Sequence, residues 1–89
     1  MFLHIGGDYT IPLSDVIAIF DLEGTTINKD TREFLKVSEE EGFIRTISDN
    51  MPKSFIVTEK DNHSIIYLSP ISAATLRKRV NNSYVKEFK

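Results

Sequence analysis

Residues 55–68 read Phe-Ile-Val-Thr-Glu-Lys-Asp-Asn-His-Ser-Ile-Ile-Tyr-Leu and hold two short apolar runs separated by a polar turn. Both runs are rich in β-branched and aromatic residues, which favour a pleated, half-buried strand. Asp61-Asn62-His63 between them is typical of a tight turn. The stretch therefore predicts an antiparallel hairpin with strands over 55–58 and 64–68.

Strand signals also precede this hairpin. Residues 2–5 form an apolar run that stops at Gly6-Gly7, and residues 9–11 return as a second strand, which we expect to end at Pro12. The strongest strand signal is 16–22, which reads Val-Ile-Ala-Ile-Phe-Asp-Leu. Its nearly continuous apolar character fits a strand buried on both faces, or a strand covered on one face by a partner subunit.

Two helices are predicted in addition to the strands. Asn28 is the expected N-cap of the first helix and Gly42 its C-terminal stop. Ser69 is the expected N-cap of the second helix, with Pro70 at the first helical position, where its missing N–H carries no penalty. We expect the second helix to fray or end at 81–83.

With a further short strand over 43–47, the element order is β-β-β-α-β-β-β-α. The fold class is α+β: residues 1–89 form a small single domain with a mainly antiparallel sheet of five to six short strands and two helices. A chain of 89 residues buries about 60–65% of its unfolded surface, so its core is thin. Small domains with a thin core often gain further stability by self-association.

Composition excludes several classes of function. The absence of cysteine excludes disulfides, thiolate catalysis and cysteine-based zinc sites. No apolar run approaches the roughly 18 residues that a membrane span needs. The N-terminus lacks the basic region of a signal peptide. We therefore expect a cytoplasmic protein with no membrane partner.

Catalytic and metal-binding patterns are weak. His4 falls in an apolar strand and His63 in a turn, and neither has a ligand partner at a helical metal-site spacing. Asp21 and Glu23 lie close together, but solvation of a strand end explains them better than an acid–base pair. We therefore expect no enzyme, no metal and no cofactor.

The charge is unevenly distributed along the chain. Residues 1–69 hold 6 basic and 12 acidic residues, a net charge of −6, whereas residues 70–89 hold 5 and 1, a net charge of +4. This asymmetry suggests that the C-terminal end faces a polyanion. The whole-chain value of −2 conceals it.

Four basic residues are candidates for ligand contacts. Arg77 and Lys78 point outward from the second helix and could contact phosphate, and Arg79 is better placed for a carboxylate of its own or a neighbouring subunit. The alternative is that all three stabilise the negative end of the helix dipole. Lys53 lies in a loop, where an exposed side chain can reach a ligand.

Taken together, these segments resemble the RemA/RemB family of extracellular-matrix regulators. The resemblance covers nearly the whole chain and is loosest over 24–50. The segments that carry it are 1–8, 15–21, 52–58, 66–72 and 75–79.

The resemblance implies a small cytoplasmic regulator that binds double-stranded DNA and controls biofilm-matrix genes. Members of this family assemble into homo-oligomeric rings that array basic residues on their surface, so weak sites add up by multivalency and binding depends on salt. The retained apolar strand places Ile17 and Ile19 at the expected oligomer interface. We expect replacement of either by Asp to disrupt assembly or folding.

The chain departs from the RemA branch where that branch carries arginines. The matching stretches, 13–15 and 49–53, contain Asp15 and Asp49 and keep a single positive charge, that of Lys53. The first hypothesis is therefore DNA binding through Lys53, Arg77 and Lys78. The second is an oligomeric protein-interaction module that works with a RemA-like partner without touching DNA. A small-ligand enzyme is a distant third.

Overall fold

The computed structural model describes residues 1–23 and 28–87, with side chains described as far as residue 82. The described residues form six short strands in sheets of two and four, together with two helices, so the predicted α+β class is confirmed. A 3₁₀ turn at Leu13–Asp15 joins the second strand to the third. The elements are β1 Phe2–Gly6, β2 Tyr9–Pro12, β3 Val16–Asp21, α1 Lys29–Glu40, β4 Ile44–Thr46, β5 Ser54–Lys60, β6 His63–Ser69 and α2 Ala73–Glu87.

The predicted hairpin is the centre of the larger sheet. β5 and β6 pair antiparallel from Ser54 opposite Ser69 to Lys60 opposite His63. The turn consists of Asp61 and Asn62, with φ of 51° and 66°. Both residues thus occupy the left-handed region that short hairpin turns require, which Asp and Asn tolerate. His63 begins β6 rather than lying in the turn.

β3 is an edge strand. The order of the larger sheet is β3-β5-β6-β4, and β4 pairs parallel with β6 whereas the other pairs are antiparallel. β3 therefore has one neighbouring strand, and Ile17 is 60% exposed. Burial of β3 on both faces, the first of the two interpretations above, is wrong within this chain.

The core lies on the face of the larger sheet that the β1–β2 hairpin and α2 cover. Its buried members come from the hairpin, the 3₁₀ turn, β5 and α2: Leu3, Ile5, Ile11, Leu13, Ile56 and Leu76. The hairpin thus packs across the sheet and forms a separate sheet of its own. Ser69 ties the layers together, because its Oγ donates to the Ile5 carbonyl oxygen at 2.6 Å and accepts from the Ile71 N–H at 3.0 Å.

Both predicted ends of the second helix are corrected by the structure. Ser69 ends β6, and the Ser72 Oγ instead accepts from the Thr75 N–H at 3.2 Å, so Ser72 provides the cap. The helix continues to Glu87, past the predicted end at 81–83. Asn and Ser weaken a helix by only about 0.7 kcal/mol or less each relative to Ala, and neither Gly nor Pro interrupts this one.

α1 lies against the other face of the larger sheet. Its predicted cap is confirmed, because the Asn28 Oδ1 accepts from the Thr31 N–H at 2.8 Å. Gly42, with φ of 80°, follows its C-terminal end as predicted. The Phe34 ring lies 6.2 Å from the ring of Phe55 on β5, which places α1 opposite the hairpin and α2.

Candidate nucleic-acid interface and assembly surfaces

Lys53 is an exposed lysine on a fixed backbone. Its N–H donates to the Ser69 carbonyl oxygen at 2.8 Å, and its own carbonyl oxygen accepts from the Leu22 N–H at 2.9 Å. These bonds attach the residue to the ends of both strands that flank β5. The side chain therefore extends from a defined point at the start of β5, although the loop before it is exposed, with Met51 86% accessible.

Arg77 is attached to the edge strand. Its Nη2 donates to the Ile19 carbonyl oxygen at 2.9 Å. Lys78 is exposed on the side of α2 away from the buried Leu76. Arg77 and Lys78 therefore both face outward, as the helical spacing predicted. The Arg77 guanidinium, however, is already hydrogen-bonded to the Ile19 carbonyl oxygen.

Arg79 joins α2 to the first strand. Its Nη1 donates to the His4 carbonyl oxygen at 2.9 Å and lies 3.2 Å from the His4 Nδ1. The other ring nitrogen, Nε2, lies 2.6 Å from the Gly7 carbonyl oxygen. A neutral ring with its hydrogen on Nε2 satisfies both contacts, because Nδ1 is then the acceptor. His4 is thus part of a structural network rather than an isolated candidate ligand.

The predicted phosphate-binding residues do not form one patch on a single molecule. Ser54 faces the α2 side of the sheet, since its Oγ donates to the Ile71 carbonyl oxygen at 2.7 Å. Side chains alternate along a strand, so the preceding Lys53 belongs to the α1 side. Arg77 and Lys78 project from α2. On a single molecule, the charges of Lys53 and of the Arg77–Lys78 pair therefore belong to opposite sides of the larger sheet.

The two residues predicted at the oligomer interface, Ile17 and Ile19, differ in how far they are buried. The β3–β5 pairing shifts register between Val16 and Ala18, which leaves Ile17 without a paired residue, and the Ile17 side chain is exposed. Ile17 lines a groove of about 260 Å³ at the free edge of β3. Ile19 lines the same groove but also packs against the buried core. We call this outward surface, formed by Ile17, Ala18, Arg77 and Val80, the β3 edge surface.

One apolar surface was not predicted from the sequence. A groove of about 540 Å³ lies between α1 and the larger sheet, and we call it the α1 groove. Its lining includes Phe34, Val37, Phe43 and Val57, with Asp30 and Glu33. The sequence has a modest helical stripe at Thr31, Phe34, Leu35 and Ser38, and Val37, an apolar residue outside that stripe, was the available signal.

Comparison with known proteins identifies the family. The model of the RemA-like family, described as extracellular matrix regulatory protein A-like, matches residues 2–80. The chain belongs to the RemA-like family. It is also 33% identical over 79 residues to extracellular matrix regulatory protein B of Bacillus subtilis (strain 168), an alignment that covers 89% of each chain. The resemblance drawn from the sequence segments is thus confirmed, and the chain belongs to a family of extracellular matrix regulatory proteins.

The family match spans every element that positions the surfaces described above. It runs from β1 into α2 and includes Lys53, Arg77 and Lys78. Within residues 1–23 and 28–87 of this RemA-like chain, neither helix combines the length and the hydropathy of a membrane span. The same residues contain no group of three or more His, Cys, Asp or Glu side chains arranged to hold a metal ion.

Proposed function

We propose that this chain assembles into a homo-oligomeric ring and acts in the cytoplasm as a DNA-binding transcriptional regulator of extracellular-matrix (biofilm) genes. The observation that carries the proposal is the position of Lys53. It is exposed, its backbone is bonded on both sides, and it lies in the region that the RemA-like family model matches. Because its backbone is already fixed, Lys53 loses only side-chain freedom when it contacts a phosphate.

The direct phosphate contacts are assigned to Lys53 and Lys78. Arg77 was predicted as a third contact, but its guanidinium already bonds the Ile19 carbonyl oxygen, so we give it a supporting role at the edge of β3. Two lysines per subunit make a weak site. Repetition around an assembly raises the overall affinity, because each further contact is intramolecular once the first has formed.

A direct test is a binding titration of the purified full chain with duplex DNA from a matrix-gene promoter, followed by fluorescence anisotropy. We expect affinity to fall as salt rises from about 50 to 200 mM, since each neutralised phosphate releases counterions. Absence of binding at low salt and tens of micromolar protein, on the order of non-specific protein–DNA affinities, would refute the proposal.

The second candidate is an oligomeric protein-interaction module that works with a RemA-like partner and makes no direct DNA contact. Its support is that Asp15 and Asn50-Met51 stand where the first hypothesis needs arginines. Co-purification of the tagged chain with a RemA-like protein, combined with no DNA binding by the chain alone, would favour this candidate. DNA binding without co-purification would exclude it.

A further inference from the structure

α1 packs loosely against the larger sheet. Of the α1 side chains, all of which lie in the described part of the chain, only Ser38 is buried. Val37 is 48% exposed, and Phe34 and the following Phe43 are exposed to a similar degree. These three side chains line the α1 groove, whose floor includes Val57 of β5. A groove of this size and apolar character is unusual on a surface that meets only water.

The α1 groove has an acidic border. Asp30 and Glu33, in the first turns of α1, lie along it. The segment 28–42 as a whole holds five acidic and three basic residues, a net charge of −2. The occupant that fits this groove best is therefore an apolar side chain accompanied by a cation.

The β3 edge surface of the same chain has that combination. Ile17 is 60% exposed, and Arg77 lines the same groove beside it. The described hydrogen bond to Ile19 holds the Arg77 guanidinium at this edge and uses one of its five N–H donors. Other donors of the same guanidinium can then pair with a carboxylate on another molecule.

The two surfaces are separate on one molecule. The residues lining them do not overlap, and the helices to which they belong lie on opposite faces of the larger sheet. The β3 edge surface of one copy therefore cannot cover the α1 groove of the same copy. It can cover the α1 groove of a second copy, and each of the two copies then still has one of its two surfaces unoccupied.

We propose that the β3 edge surface of one copy docks in the α1 groove of a second copy. Ile17 packs against Val37 and Phe34, and Arg77 pairs with Asp30 and Glu33. Because the two contacting surfaces differ, the contact is head-to-tail and either closes into a ring or continues as a filament. The inference rests on the proposed oligomer and specifies its interface. Neither groove is lined by Lys53 or Lys78, so both lysines stay available for DNA.

The test is a mixing experiment on the full chain, with sizing chromatography and light scattering. Ile17→Asp removes the docking surface and Val37→Asp removes the groove, and we expect each variant to weaken association roughly 100-fold, because an unpaired carboxylate is placed in the contact. Each variant keeps the surface that the other lacks. An equimolar mixture should therefore form heterodimers and nothing larger.

A charge-reversal pair distinguishes loss of the contact from loss of folding. Arg77→Glu and Glu33→Arg each place like charges together and should weaken assembly, whereas the double variant restores opposite charges and should recover it. Met51→Asp, at an exposed position in neither groove, is the matched control and should keep the wild-type size. Circular dichroism establishes that each variant is folded.

The inference is overturned if the wild type is a monomer, if folded Ile17→Asp or Val37→Asp keeps full size, or if the mixture stays monomeric. Loss of assembly by Met51→Asp alone would also overturn it and place the contact in the loop before β5. Failure of the proposed function looks different. In that case the wild type assembles and the variants behave as described, but the assembly does not bind DNA.

Discussion

The Arg77 Nη2 donates a 2.9 Å hydrogen bond to the main-chain carbonyl oxygen of Ile19. The N–H of Leu22 points toward β5, so alternation along the chain places the peptide groups of Ile19 on the free edge of β3. Arg77 thus covers part of an open strand edge, which proteins commonly protect with charged side chains. The basic end of α2 is therefore part of the fold as well as a candidate ligand site.

This relationship predicts different effects for two adjacent residues. Arg77→Ala should lower the free energy of unfolding by about 0.5–1 kcal/mol, because an exposed edge bond is lost. Lys78→Ala, at an exposed position, should stay within about 0.5 kcal/mol of the wild type. Urea denaturation at equal protein concentration measures both. Equal losses for the two variants would contradict a structural role for Arg77.

Ser69 predicts a larger effect. It is fully buried, and its hydroxyl bonds both the Ile5 carbonyl oxygen and the Ile71 N–H. Ser69→Ala leaves both backbone groups without this partner and should cost about 2–3 kcal/mol. Ser64→Ala, at an exposed position on the same strand, is the control and should be nearly neutral. A small loss at Ser69, measured by urea denaturation, would mean that water replaces the hydroxyl.

The two glycines of the first turn should respond unequally to alanine. Gly6 has φ of 133°, and an added Cβ would lie 3.0 Å from the Pro70 Cδ, within a rigid ring. Gly7 has φ of 53° and open space around it. Gly6→Ala should therefore cost about 2–4 kcal/mol, and Gly7→Ala about 1 kcal/mol. Thermal unfolding monitored by circular dichroism ranks the two, and a reversed order would refute the contact with Pro70.

Local chemistry made much of the fold predictable. Asp61 and Asn62 tolerate positive φ, and Asn28 and Gly42 are residues that begin and end helices, so each was readable without knowledge of its neighbours. Ser69 was not, because a serine before a proline resembles a helix cap. Its hydroxyl instead bonds Ile5, a residue far away in sequence that only the tertiary fold brings near.

The candidate site was less predictable for the same reason. Helical spacing correctly predicted that Arg77 and Lys78 face outward. The Ile19 carbonyl oxygen that binds Arg77, however, comes within reach only because β3 lies beside α2 in the folded chain. The exposure of Val37 likewise depends on how closely α1 approaches the sheet. Contacts between elements, rather than the elements themselves, were beyond the reach of a single sequence.

Lys53 should make a measurable electrostatic contribution to DNA binding if the proposed function holds. Lys53→Ala should weaken binding and reduce the slope of log affinity against log salt by about 0.9 for each subunit that engages DNA. Lys60→Ala is the matched control, because Lys60 is exposed at the far end of β5. An unchanged slope for Lys53→Ala, or an equal loss for both variants, would show that Lys53 makes no specific phosphate contact.

Substitution of Ile17 and of Ile19 by Asp should distinguish an effect on assembly from an effect on folding. The sequence alone predicted that Asp at either position would disrupt assembly or folding, but Ile17 is outward-facing and Ile19 packs on the core. Ile19→Asp places a carboxylate against apolar side chains and should cost about 3 kcal/mol or more of stability. Ile17→Asp should keep the wild-type circular dichroism spectrum and lose oligomeric size on a sizing column. If both variants unfold, Ile17 is needed for the fold of the single chain. If both stay folded and assembled, the contact lies elsewhere.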